Sequence, residues 1–228
     1  MKRTRIAVLI TLVAVMLFTL AGCGGDEAKF VGKWSTTIDM LPAFEAGMKE
    51  GAAEDPESAE ILDYFEFSSF ELTYTYTFNE DGTFKGAVDE DALAKQLDNL
   101  RAEARKGFEK MLQEQIDANN LDMTVEELAK EADIDIDATV NEMFTEEMVD
   151  ELTGDMNIEG NFEAREGKLY CSAGLEYAVD EAVYETYEIT DTELKLIEYV
   201  GDEDEVSALE ELEEYGVEIY PMTFTRVK

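Results

Sequence analysis

Histidine is absent from these 228 residues, and cysteine occurs only twice. Without His, the usual base of a nucleophilic triad is missing. No metal-ligand spacing and no phosphate-cradling Gly loop appears either. Cys171 alternates with Leu169 in a strand-like run and reads as a small buried hydrophobe. A reactive thiol calls for a positive neighbourhood, and there is no His to pair with it. The expectation is a chain that is not an enzyme, with no catalytic residues, no metal and no cofactor. Basic residues are scarce too: 18 Lys and Arg stand against 55 Asp and Glu, for a formal charge of −37. That balance excludes nucleic acid as a partner and argues against electrostatic docking onto anionic headgroups. The apolar run from Ile6 to Leu20 is short for a bilayer span, which needs about 20 residues.

What the chain does have begins with that run. Lys2, Arg3 and Arg5 precede it, and Ala21 and Gly22 follow it, which is the layout of a secretory signal peptide. Leu20-Ala21-Gly22-Cys23 resembles the lipobox of bacterial lipoproteins. The resemblance implies signal-peptidase recognition at Leu20, Ala21 and Gly22, and diacylglycerol on Cys23. It also implies that Cys23 becomes the first residue of the mature chain, so that no intramolecular disulfide is available to Cys171. Two acyl chains anchor where one holds only marginally, at roughly 0.8 kcal/mol per buried methylene. The expected place is the extracytoplasmic face of a cell membrane. Residues 1–22 are then the leader and 23–29 the lipidated Cys with a short polar tether. Three of the 18 basic residues and none of the acids lie in the leader, so the mature part carries 15 against 55, a charge near −40.

Residues 30–228 read as one domain. Alternation predicts strands at about 30–39, 69–79, 82–88, 157–165, 168–174, 182–189, 193–199 and 218–227. The clearest is Leu72, Tyr74, Tyr76 and Phe78 interleaved with threonines, turned by Asn79-Glu80-Asp81-Gly82. Pro221 belongs at a strand start or bulge. Residues 40–67 read as one or two short helices, and Leu209 with Leu212 as a helical turn. Between the third and fourth strands, 89–154 reads as a helical insertion, with Leu93, Leu97, Leu100, Ala104, Phe108 and Met111 at helical spacing. Arg105 with Glu109 and Lys110 with Glu114 should pair on its solvated face. The first insertion helix should stop near Asn119-Asn120, Thr124 to Glu127 looks like a capping box, and Thr145 is expected to cap a last helix running to Gly154. Asp133, Asp135 and Asp137 imitate the start of a calcium loop, but Ala138 and Phe144 stand where such a loop needs Gly and Glu.

The fold class expected is mainly β with α insertions (α+β): an eight-stranded antiparallel meander closing into a barrel. Gly32-Lys33-Trp34, Phe78, Asp81-Gly82-Thr83-Phe84, Gly167-Lys168-Leu169, Leu194-Lys195-Leu196 and Phe224-Thr225-Arg226 follow one another in an order that resembles lipocalin-like domains of bacterial lipoproteins. The resemblance covers about 30–88 and 157–228. It implies that Arg226 packs over Trp34 to close the barrel. It also implies a binding module for a small apolar ligand lined by Leu72, Tyr74, Tyr76, Phe78, Phe162 and Leu169, side chains that serve equally well to fill the barrel solid. The alternative is a protein-interaction or envelope-structural module that works through the insertion.

Overall fold

The computed structural model describes residues 26–53, 61–145, 153, 156–201 and 203–228. The lipobox residues Leu20, Ala21, Gly22 and Cys23, and the expected helix from Thr145 to Gly154, lie largely or wholly outside them. The alternating segments become eight strands: β1 Gly32–Asp39, β2 Glu71–Phe78, β3 Thr83–Val88, β4 Ile158–Arg165, β5 Lys168–Cys171, β6 Tyr184–Ile189, β7 Glu193–Val200 and β8 Met222–Arg226. Every neighbouring pair is antiparallel and in sequence order, and β8 returns to β1, so the meander closes into a barrel. Closure leaves no unpaired edge to recruit another chain. The architecture is the one expected, and it is consistent with the lipocalin resemblance.

Six helices accompany the strands among the described residues: α1 Glu27–Phe30, α2 Leu41–Ala53, α3 Glu90–Asn119, α4 Val125–Glu131, α5 Ile136–Met143 and α6 Glu203–Glu214. None is long and apolar enough to cross a membrane. The insertion between β3 and β4 holds α3, α4 and α5. Asp89 caps α3 by accepting from the Ala92 amide at 3.0 Å. Asn120, in the left-handed conformation, ends it. The capping box at Thr124 has both of its reciprocal bonds, worth about 1 kcal/mol. Asp135 caps α5, and Asp137 pairs with Arg105, so two of the three calcium-like aspartates have local work.

The inward parity of the strands carries the core. Trp34 registers with Tyr76, and Phe78 with Phe84. Trp34, Leu72, Phe78, Phe84, Leu169, Leu194, Leu196 and Phe224 are almost fully buried. Each such side chain contributes roughly 1.5–3 kcal/mol through its removal from water. The core continues without a break into the insertion, where Leu93, Leu97, Leu100 and Ala104 meet Phe70, Val140 and Phe144. The hairpin at Glu166-Gly167 has positive φ at both positions, 55° and 76°, which suits the twist of a two-residue connection.

Three expectations need correcting. Phe30 does not open the first strand: Glu27–Phe30 is a helical turn, and Phe30 is fully buried. A ring that size is better accommodated by plugging the end of the barrel than by lying on its rim. Lys110 does not pair with Glu114. It reaches Glu66 at 3.2 Å, while Glu114 accepts from the Tyr64 hydroxyl at 2.9 Å, because the segment before β2 folds back along α3 and competes for both partners. The acidic stretch after β7 is a full helix, α6, not a single turn, with Val217 and Ile219 buried just after it.

Candidate functional site inside the barrel

The two ends of the barrel differ. The end holding the hairpins 79–82, 166–167 and 190–192 is closed. Phe30 sits in it, with its ring 4.8 Å from Tyr187 and 5.2 Å from Phe78, both edge-on. Phe78 in turn meets Phe162 at 4.8 Å. The Trp34 indole donates to the Phe30 carbonyl at 2.6 Å, which pins the helical turn to β1. Arg226 lies over the Trp34 ring, with the guanidinium carbon 4.1 Å from the centroid. Its fork donates to the carbonyls of Asp191 at 2.8 Å, Val31 at 2.6 Å and Lys29 at 2.5 Å. Gly32 is required here twice over. Its φ is +130°, and a Cβ would stand 2.7 Å from the Arg226 guanidinium. The Gly in Gly32-Lys33-Trp34 thus makes room for the residue that caps the Trp. Tyr187 adds a bond to Asp26 at 2.9 Å, and that bond, after the one from Lys29, helps hold the Asp26 carboxyl below its usual range.

Of the residues expected to line a ligand space, Leu72, Phe78, Phe162 and Leu169 are buried in the packed core. Tyr74 is buried as well, its hydroxyl donating to the Met156 carbonyl at 2.9 Å. Tyr76 is different. It faces inward, 5.2 Å from the Tyr74 ring and 5.3 Å from Phe224, yet it keeps accessible surface. So do Cys171, Glu185, Tyr220 and Met222. The register shows that Cys171 and Glu185 also face in: Cys171 stands opposite Phe162, Glu185 opposite Leu169, and Met222 opposite Leu196. These inward side chains, packed against the core yet only partly buried, form a cup toward the helical end of the barrel, away from Phe30.

Glu185 is the residue that gives this cup its chemistry. The Tyr220 hydroxyl donates to its Oε1 at 2.5 Å. Burial pushes the carboxyl from 4.5 up to about 7, against the Tyr220 bond, which favours the anion. The cup's other titratable groups are pushed up as well. Loss of solvent comes first for Tyr74, Tyr76, Tyr220 and the Cys171 thiol, and the charge on Glu185 adds to it in every case. The Cys171 thiol is therefore held protonated and unreactive at neutral pH. A bulge between Thr186 and Tyr187 follows Glu185 directly, and such irregularities re-aim side chains on a barrel wall.

Sequence reasoning found Tyr74 and Tyr76 and missed Glu185, Tyr220 and Met222. A signal was there. Tyr187 and Ile189 form the apolar face of β6, and Glu185 falls on that same face by alternation. An acid on the apolar face of a strand is the pattern to look for. Two further crevices are open depressions outside the barrel. One, of about 440 Å³, is lined by Asp122, Met123, Glu127, Lys130 and Glu131. The other, of about 380 Å³, lies beside α1 against Asn79, Glu80, Gly82 and Phe162. Neither contains any residue of the Glu185 cluster. Comparison of the chain with protein-family models, with curated proteins and with solved structures finds no match.

Proposed function

We propose that this chain is a membrane-anchored lipoprotein of the extracytoplasmic face whose barrel is a binding module for a small, largely apolar ligand. The observation that carries the binding half is the cup: Tyr76, Cys171, Glu185, Tyr220 and Met222 face into the barrel and keep accessible surface. Its walls are mostly aromatic and apolar, with a few polar atoms converging, which is the make-up of small-molecule sites. The anchor rests on the lipobox. Cys23 stands three positions before Asp26, a reach of about 11 Å at full extension. Asp26 is bonded to Tyr187 at the closed end of the barrel. A lipid on Cys23 therefore holds the closed end toward the bilayer and the helical end away from it.

Less supports an interaction module working through the insertion. Its exposed large apolar residues among the described ones are Leu121 and Ile134, and such scattered residues do not make a docking patch. Native mass spectrometry of the purified protein tests the binding half. A stoichiometric added mass that organic extraction removes is the expected result, and an apo mass that no lipid mixture shifts would sink it. Replacing Cys23 by Ser tests the anchor: the variant should leave the membrane fraction, and its retention there would refute lipidation at that residue.

A further inference from the structure

Glu185 is an acid without a base. None of the ion pairs among the described residues includes it. Its one hydrogen-bond partner is Tyr220, which bonds Oε1. Oε2 accepts no hydrogen bond among the described residues, and it retains accessible surface. The groups facing the carboxyl are Tyr74 and Tyr76 on β2, Cys171 on β5 and Tyr220 ahead of β8. All of them are neutral when protonated, and none can supply a positive charge. An anion brought into such surroundings is costly unless something cationic joins it. The phenol faces of Tyr74 and Tyr76 are also where an ammonium is favoured.

We propose that the cup takes an amphiphilic amine, its ammonium seated on Glu185 Oε2 beside Tyr74 and Tyr76 and its apolar body lying against Tyr76 and Met222. This rests on the binding reading above and names the ligand class. The ligand's charge restores the balance that the barrel lacks. Seating it draws the Glu185 carboxyl back toward its ionised form. The strongly acidic domain raises the local concentration of any cation before it binds. A fatty acid brings the wrong sign to the cup.

The test is calorimetric titration of the purified full chain with dodecylamine, dodecanol and dodecanoate. Salt at about 0.5 M shortens the range of surface attraction to a few ångströms, so that binding to the other acids is suppressed. Dodecylamine should bind tightest, and Glu185→Gln should lose at least about tenfold in amine affinity while holding dodecanol as before. Tyr220→Phe should keep the amine, because it removes only the bond to Oε1. Amine affinity should fall as pH drops below 7 and Glu185 takes up its proton. If the amine and the alcohol bind alike and Glu185→Gln changes neither, the amine proposal fails and the cup stands. If none of the three probes binds the wild type, both fail. Should Glu185→Gln lose its circular dichroism, Glu185→Asp decides: an amine preference that survives, weakened, supports the carboxylate anchor, and an unchanged affinity overturns it.

Discussion

Arg226 and Glu185 are charges at opposite ends of one barrel, and they are treated in opposite ways. Arg226 is well partnered: three backbone carbonyls take its fork, and the Trp34 face takes its charge. Glu185 has one phenol and an oxygen left over. The same asymmetry runs through the strands. Their six basic residues, Lys33, Lys85, Arg165, Lys168, Lys195 and Arg226, all lie in the half of the strand nearer the Phe30 end. No Lys or Arg occupies the half that holds Glu185. A satisfied charge stiffens a fold, whereas an unsatisfied one costs stability and leaves bonding capacity unused. The closed end is therefore read as architecture and the cup as the place where something else is expected to bind.

The comparison can be broken most directly at Trp34. Trp34→Ala removes the largest buried side chain and the platform under Arg226, and should cost about 4 kcal/mol in chemical denaturation. Arg226→Ala should cost about 3 kcal/mol by stranding carbonyls that now share one cation. Arg226→Lys should recover only part of that, since an ammonium lacks the planar fork. A loss under 1 kcal/mol for Arg226→Ala would show that this end is not the stiff one.

At Glu185 the effect on stability depends on pH. Its folded-state carboxyl titrates near 7, above the ordinary 4.5. The native state therefore holds its proton more tightly than the unfolded chain does. The stabilisation is whole below about pH 4.5 and is lost as pH rises through 7, to a limit of about 3 kcal/mol by pH 8. Glu185→Gln cannot ionise, so the stability difference between variant and wild type should grow in the variant's favour from pH 5 to pH 8. A pH-independent difference would mean the carboxyl is solvated as at a surface. Two smaller effects belong to the insertion. Thr124→Ala should cost about 1 kcal/mol through loss of the capping box, and Glu109→Ala, which removes an exposed partner of Arg105, about 0.5 kcal/mol or less.

Much of the closed end was legible in the sequence, because its rules are local. Period-two alternation placed the strands, whereas the contact of Arg226 with Trp34, which is not local, followed only from the resemblance to lipocalin-like domains. The capping box at Thr124 was readable, like the strands, from local spacing. Phe30 was misread because a helical turn of four residues carries no periodicity of its own. The cup was half legible. Tyr74 and Tyr76 stand out on β2, but Glu185 is one acid among 55, and its meaning depends on Leu169 and Tyr220, from other parts of the chain. Lys110 went to Glu66 in place of Glu114 for a related reason: helical spacing foresees the partners on one helix and not those that another segment brings.

The closure of the barrel has a consequence for time as well as for shape. Seven of the eight strand pairings join neighbours in sequence, and such pairings form early. The eighth joins Trp34 to Arg226, nearly the whole chain apart, and must wait for the last strand. Trp34 is also the only tryptophan. Its fluorescence is thus a built-in clock for the final step of folding: the indole meets its guanidinium only when the C-terminal strand arrives. Stopped-flow refolding should show a slow emission change at Trp34 after most of the β-sheet signal has developed, and Arg226→Ala should remove the amplitude of that late phase.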